Sequence, residues 1–153
     1  MAGLAGTDTY VVTNSDTHAV AGKLRTLDGA SPGAGWLAPR VRGDARKFDI
    51  DDDWDAVPAE LLVPGLARPV LLRRRTYHAA LSAVLADAGA TFADLVVVGD
   101  IFELDLAMPL ALGARVGLMA GPHTPAYERA YVEAHPRGKV LAGVDEIRPF
   151  AFA

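Results

Sequence analysis

Two short stretches of the sequence bring together side chains suited to a charged ligand. The first is Thr13-Asn14-Ser15, directly after the apolar Tyr10-Val11-Val12. A hydroxyl, an amide and the unpaired N–H groups of a following helix can converge there, which makes a cradle for phosphate oxygens. The second is Gly99-Asp100-Ile101-Phe102-Glu103-Leu104-Asp105, directly after Leu95 to Val98. Asp100 and Asp105, with Glu103 between them, offer hard oxygen ligands of the kind that take a magnesium ion. Helix capping is the plainer role for each stretch, but it does not account for Asp100, which follows an apolar strand through a glycine. The basic residues are scattered apart from the triplet Arg73-Arg74-Arg75. The plainer role of an arginine triplet is a solvated surface patch.

Side chains so far apart in sequence meet only if strands and helices alternate around a sheet, and the sequence carries that alternation. Tyr10 to Val12 reads as a short strand, followed by a helix with Val20, Leu24 and Leu27 on one face and Gly29 as its stop. Residues 30–40 are rich in Gly and Pro and read as a loop, Val41 to Phe48 as a second strand, and the acidic Asp49 to Asp53 with Asp55 as a solvated turn. Pro58 to Pro69 is irregular and Val70 to Leu72 is a further strand. Thr76 is placed to cap a helix whose buried face is Tyr77, Leu81, Val84, Leu85 and Ala88, closed by Gly89. Leu95 to Val98 has the unbroken apolar pattern of a strand covered on both faces in a parallel sheet. Asp105 then caps a helix through Leu112, with Pro109 tolerated near its first turn. Val116 to Met119 is a strand, Thr124-Pro125 starts a helix to about His135, and Val140-Leu141 adds a last strand. The order predicts a single α/β domain with a mostly parallel sheet. Ligands of such sheets bind outside the carboxyl ends of the strands, which is where both polar stretches fall.

Composition narrows the function classes. The chain has 153 residues, 51% hydrophobic and 22% charged, enough apolar material for a core. It has no cysteine, which removes disulfides, thiolate metal sites and cysteine nucleophiles. The longest charge-free apolar run, Leu106 to Ala114, is far shorter than the roughly 20 residues that span a bilayer, and the first residues lack the basic and apolar regions of a secretory signal. A cytoplasmic location is the resulting expectation, with no membrane partner. The formal net charge of -4 and the scattered basic residues speak against nucleic acid. Neither a G-x-G-x-x-G turn nor a G-x-x-x-x-G-K-[ST] loop follows a strand, against a dinucleotide or P-loop site.

Taken together, these residues resemble the haloacid dehalogenase (HAD) superfamily of hydrolases. Tyr10-Val11-Val12-Thr13-Asn14-Ser15 is similar to its second motif, an apolar strand ending in the residue that binds the phosphoryl group. Val97-Val98-Gly99-Asp100 through Asp105, continuing to Pro109, Gly113 and the Val116 strand, is similar to its fourth motif and the segment after it. The resemblance runs from about residue 10 to residue 147. It implies a three-layer Rossmann-like parallel sheet with helices on both faces. It also implies phosphatase-type hydrolysis of a small phosphorylated molecule with Mg2+ held by Asp100 and Asp105, Thr13 and Asn14 on the phosphoryl oxygens, and Arg74 or Lys47 balancing charge. Spacing from Gly99 favours Arg74.

The first motif of that superfamily, a nucleophilic Asp with a second acid two residues on, does not appear. Asp8 is the sole acid before Thr13 and has no apolar strand in front of it. The chain therefore resembles the C-terminal part of such an enzyme, without its first strand and cap. By the family's strand order the absent strand lies between Tyr10–Val12 and Leu95–Val98. Those strands are then expected to pair directly, or to be covered by self-association or by a missing N-terminal segment. A non-catalytic α/β module that keeps the anion and metal pockets for binding or assembly is the alternative reading.

Overall fold

A computed structural model describes residues 2–30 and 33–153 of the chain. The fold is mixed α/β, but among the described residues the strands fall into three small sheets, two parallel and one antiparallel, instead of the single mostly parallel sheet that the hydrophobic pattern predicts. Strand β1 (Val11–Val12) runs into helix α1 (Thr17–Ala30), and β2 (Val41–Arg42) returns parallel beside β1 with Val11 opposite Val41. A second sheet is the antiparallel pair β3 (Glu60–Leu61) and β4 (Val70–Leu71), followed by α2 (Arg75–Ala88). The third holds β5 (Val96–Gly99), β6 (Arg115–Met119) and β7 (Gly138–Leu141), parallel and in that order. Helix α3 (Ala107–Ala111) connects β5 to β6, α4 (Ala126–Ala134) connects β6 to β7, and α5 (Ile147–Ala151) follows. Among the described residues, no helix is long and apolar enough to cross a membrane.

Burial falls into two groups. The main core gathers Val57, Val70 and Leu72, then Tyr77 and Leu81 of α2, then Phe102, Leu106, Val116 and Leu118. A smaller cluster of Ala21, Ala38 and Val41 lies under α1. Alternation along β1 sends Val11 to the small cluster and Val12 to the main one. β1 pairs with β2 and β5 with β6, and no hydrogen bond of the ladder joins β1 to β5. Direct pairing of those two strands, one of the expected ways to close the gap, is therefore absent. With a neighbour on one side only, Val96, Val97 and Val98 are half-buried rather than covered on both faces as their apolar run predicts.

Several boundaries differ from expectation for identifiable reasons. The second strand stops at Arg42 instead of reaching Phe48, because Asp44 and Arg46 adopt left-handed φ values of 52° and 44° that no strand accommodates. Part of the stretch read as a loop, Gly35–Arg40, is a 3-10 helix, while Ser31 and Pro32 lie outside the described residues. The irregular stretch 58–69 contains β3. Helix α1 runs past Gly29 to Ala30, and Leu27 is 55% exposed, not on a buried face. Thr76 lies within the first turn of α2, whose cap position is Arg74, and Thr124 accepts a hydrogen bond from the Gly121 N–H (2.9 Å) while Pro125 takes the cap of α4.

Candidate functional site

Residues 102–106 form one wide helical turn ahead of α3. Asp105 therefore does not cap the downstream helix as expected. Its Oδ2 reaches back to accept the Ile101 N–H at 3.1 Å, while its own N–H donates to the Ile101 carbonyl at 2.9 Å. Gly99 makes this possible, since a Cβ there would collide with the Asp105 side chain and lie 2.7 Å from Oδ2. Tyr77 donates its hydroxyl to the Asp105 carbonyl at 2.9 Å. Burial, with the Asp105 charge adding to it, pushes the Tyr77 phenol far above its ordinary range, so it stays a donor.

The cation that meets Asp105 is Lys47. Its Nζ lies 2.8 Å from Asp105 Oδ1, with side-chain exposures of 13% and 12%. The ammonium also sits 5.1 Å from the centre of the Tyr77 ring. The left-handed residues Asp44 and Arg46 fold the loop after β2 back over the end of β1, bringing Lys47 in. Asp44 N–H donates to the Ser15 carbonyl, Ala45 N–H to the Thr13 carbonyl, and Lys47 N–H to Asn14 Oδ1 at 2.7 Å. A chain of contacts thus runs from Thr13 and Asn14 through Lys47 and Asp105 to Gly99, joining the carboxyl ends of β1 and β5.

Arg74, the residue that spacing favours, does not reach Asp105 in this arrangement. It is 3% exposed, its Nη1 donates to the Lys47 carbonyl, and its Nη2 lies 3.6 Å from Glu103 Oε1. Burial lowers its basicity from the ordinary value and the Glu103 carboxylate opposes that, so it remains a cation. Arg68 completes the group with a two-pronged contact to Glu103, at 3.0 and 2.7 Å. Arg73 and Arg75 instead tie down the acidic loop, through the Asp52 carbonyl and Asp51 Oδ2. Asp8 is 71% exposed on its side chain and lies 3.9 Å from Arg40, apart from the site.

Thr13 and Asn14 spend their acceptors and keep their donors. Thr13 Oγ1 accepts the Ser15 N–H at 3.2 Å, leaving its hydroxyl proton available, and Asn14 Oδ1 is taken by Lys47 N–H, leaving its NH2. Helix α1 is capped separately, by Asp16 Oδ1 on the Ala19 N–H at 2.8 Å. The donor set fits an anion. The fit to magnesium is incomplete: both Asp105 oxygens are engaged, Asp100 is exposed, and among the described residues no group of three His, Cys, Asp or Glu side chains is arranged to hold a metal ion. Sequence reasoning missed Glu128, a buried carboxylate whose Oε2 accepts the Phe102 N–H at 3.3 Å; an acid in a helical first turn gave no signal of it. No family model matches the chain, and neither a curated protein nor a solved structure matches it.

Proposed function

We propose that this chain is a HAD-like hydrolase core of phosphatase type that binds the phosphoryl group of a small phosphorylated molecule. One observation carries the reading: the loop that carries the buried Lys47–Asp105 pair is hydrogen-bonded to Thr13 and Asn14, whose own donors stay spare, and it links the residues that follow β1 to those that follow β5. A phosphoryl oxygen entering there meets an ammonium and neutral donors already oriented by their own hydrogen bonds, the electrostatic arrangement that phosphoryl transfer uses. Thr13 and Asn14 hold the oxygens, Lys47 balances their charge, and Arg74 keeps the Lys47 loop in place through its carbonyl.

In this reading the attacking carboxylate arrives on a strand entering between β1 and β5, within a three-layer Rossmann-like sheet. No step is assigned to magnesium, because the residues present give it at most Asp100 until a further carboxylate joins. The test is hydrolysis of p-nitrophenyl phosphate by the chain alone and with an added segment carrying an apolar strand that ends in Asp-x-Asp. Hydrolysis that requires the segment, and is lost in the Lys47→Met variant, supports the reading. Equal rates with and without it overturn the strand assignment.

The exposed position of Asp8, away from the site, favours a second reading in which the chain binds an anion without turning it over. Phosphate binding lost in Lys47→Met, with no hydrolysis in either arm, selects it.

A further inference from the structure

Glu128 lies in the first turn of α4, is 5% exposed, and has no Lys, Arg or His nitrogen within 4.0 Å among the described residues. Its neighbours are better served: Glu103 has Arg68 and Arg74, and Asp105 has Lys47. Burying a carboxylate without a cation is costly, so the backbone partner whose N–H it accepts matters. That partner is the Phe102 N–H, the first amide of the turn that delivers Asp105. One turn further along α4, Tyr131 lies 5.1 Å from the Phe102 ring, so the same helix face grips residue 102 by its amide and by its side chain. The turn is held at two successive amides, Ile101 by Asp105 itself and Phe102 by Glu128.

We infer that Glu128 is a positioning residue: by holding the Phe102 N–H it fixes the start of the 102–106 turn, and so sets Asp105 against Lys47. Burial, with Glu103, Asp105 and Asp100 nearby, raises its pKa, while the Phe102 N–H favours the charged form. A glutamine, which keeps an acceptor without the charge, is accordingly the conservative replacement. The inference rests on the reading of this turn as the site, but its test needs neither phosphate nor turnover, so either can fail alone.

The experiment compares Glu128→Gln, Glu128→Ala and Glu128→Leu in the full chain by hydrogen–deuterium exchange and by acetylation of lysines, both read by mass spectrometry. Lys23 and Lys139 serve as internal references for Lys47. In the Ala and Leu variants, amides 101–105 are expected to exchange about tenfold faster, the factor one net hydrogen bond represents, and Lys47 to acetylate faster relative to the other two. Peptides of β6 and β7 keep their wild-type exchange, and Gln restores both readouts. Unchanged exchange at 101–105, unchanged Lys47 labelling, or Gln behaving like Leu overturns the inference. If Leu accelerates exchange everywhere, the contrast of Gln with Ala decides it by the same criteria.

Discussion

Lys47 Nζ and Asp105 Oδ1 are 2.8 Å apart across 58 residues of sequence, with the Tyr77 ring beneath the ammonium and the Tyr77 hydroxyl on the Asp105 carbonyl. The pair joins the loop after β2 to the turn after β5. Removing one member strands the other in a largely water-free setting, so Lys47→Met is expected to cost about 3 kcal/mol, and Lys47→Met with Asp105→Leu less than the sum of the single changes. Urea denaturation of the four proteins measures the coupling; additivity within about 0.5 kcal/mol means the pair contributes nothing specific.

Gly99 and Gly22 make opposite predictions for one substitution. An alanine at 99 must displace Asp105, for a loss of about 1 to 3 kcal/mol. Gly22, in the interior of α1, has nothing within 4 Å of an added Cβ, so Gly22→Ala is neutral or stabilising by up to about 1 kcal/mol. Midpoints of denaturation in the same order for both variants would contradict the geometry at Gly99.

His78 lies between Trp54 and Phe92, with ring centres 4.8 and 5.3 Å away, and burial lowers its pKa. A histidine held neutral in the fold stabilises fully above its unfolded pKa of about 6.5, and that contribution is lost as pH falls from there through the lower folded value. Wild type should lose more stability than His78→Phe between pH 7.5 and 5.5. The raised pKa of Glu128 works in the opposite direction, but it is common to both proteins and cancels in the difference. Parallel pH profiles would rule out a lowered His78 pKa.

Among the described residues β1 pairs with β2 alone and β5 with β6 alone, which leaves each an unpaired edge that bears on behaviour in solution. Each unpaired amide or carbonyl shut away from water costs about 1 to 3 kcal/mol, so the chain alone should self-associate or melt early, and an added apolar strand should raise its melting temperature. Sedimentation and thermal melts test this. A robust monomer indifferent to the strand counts against the slot. In the same sample, magnesium should bind weakly, and any trace phosphatase rate should be unaffected by Asp8→Asn.

The alternation of strands and helices was legible because apolar runs such as Leu95 to Val98 and the helical face of Tyr77, Leu81 and Val84 carry it. The candidate stretch from β5 through Gly99 to Asp105 stood out for the same reason: polar residues directly follow an apolar strand. Which cation meets Asp105 was not, because sequence spacing favours Arg74 while two left-handed residues in the preceding loop swing Lys47 into place. Glu128 was illegible because burial of a first-turn acid depends on where the partner turn packs, a long-range fact.

The two apolar clusters also carry a consequence for how the chain assembles. β5, α3, β6, α4 and β7 follow one another between residues 96 and 141 and bring most of the long parallel ladder together over short loops. Contacts close in sequence form early, so this segment is the expected folding nucleus. The lobe of β1, α1 and β2 has its own few buried residues, Ala21, Ala38 and Val41, and is tied to the nucleus chiefly through Val12 and the Lys47 loop. It should therefore unfold and refold as a separate, lower-energy unit within the native state, opening the proposed anion site from the β1 side while the three-stranded sheet stays intact.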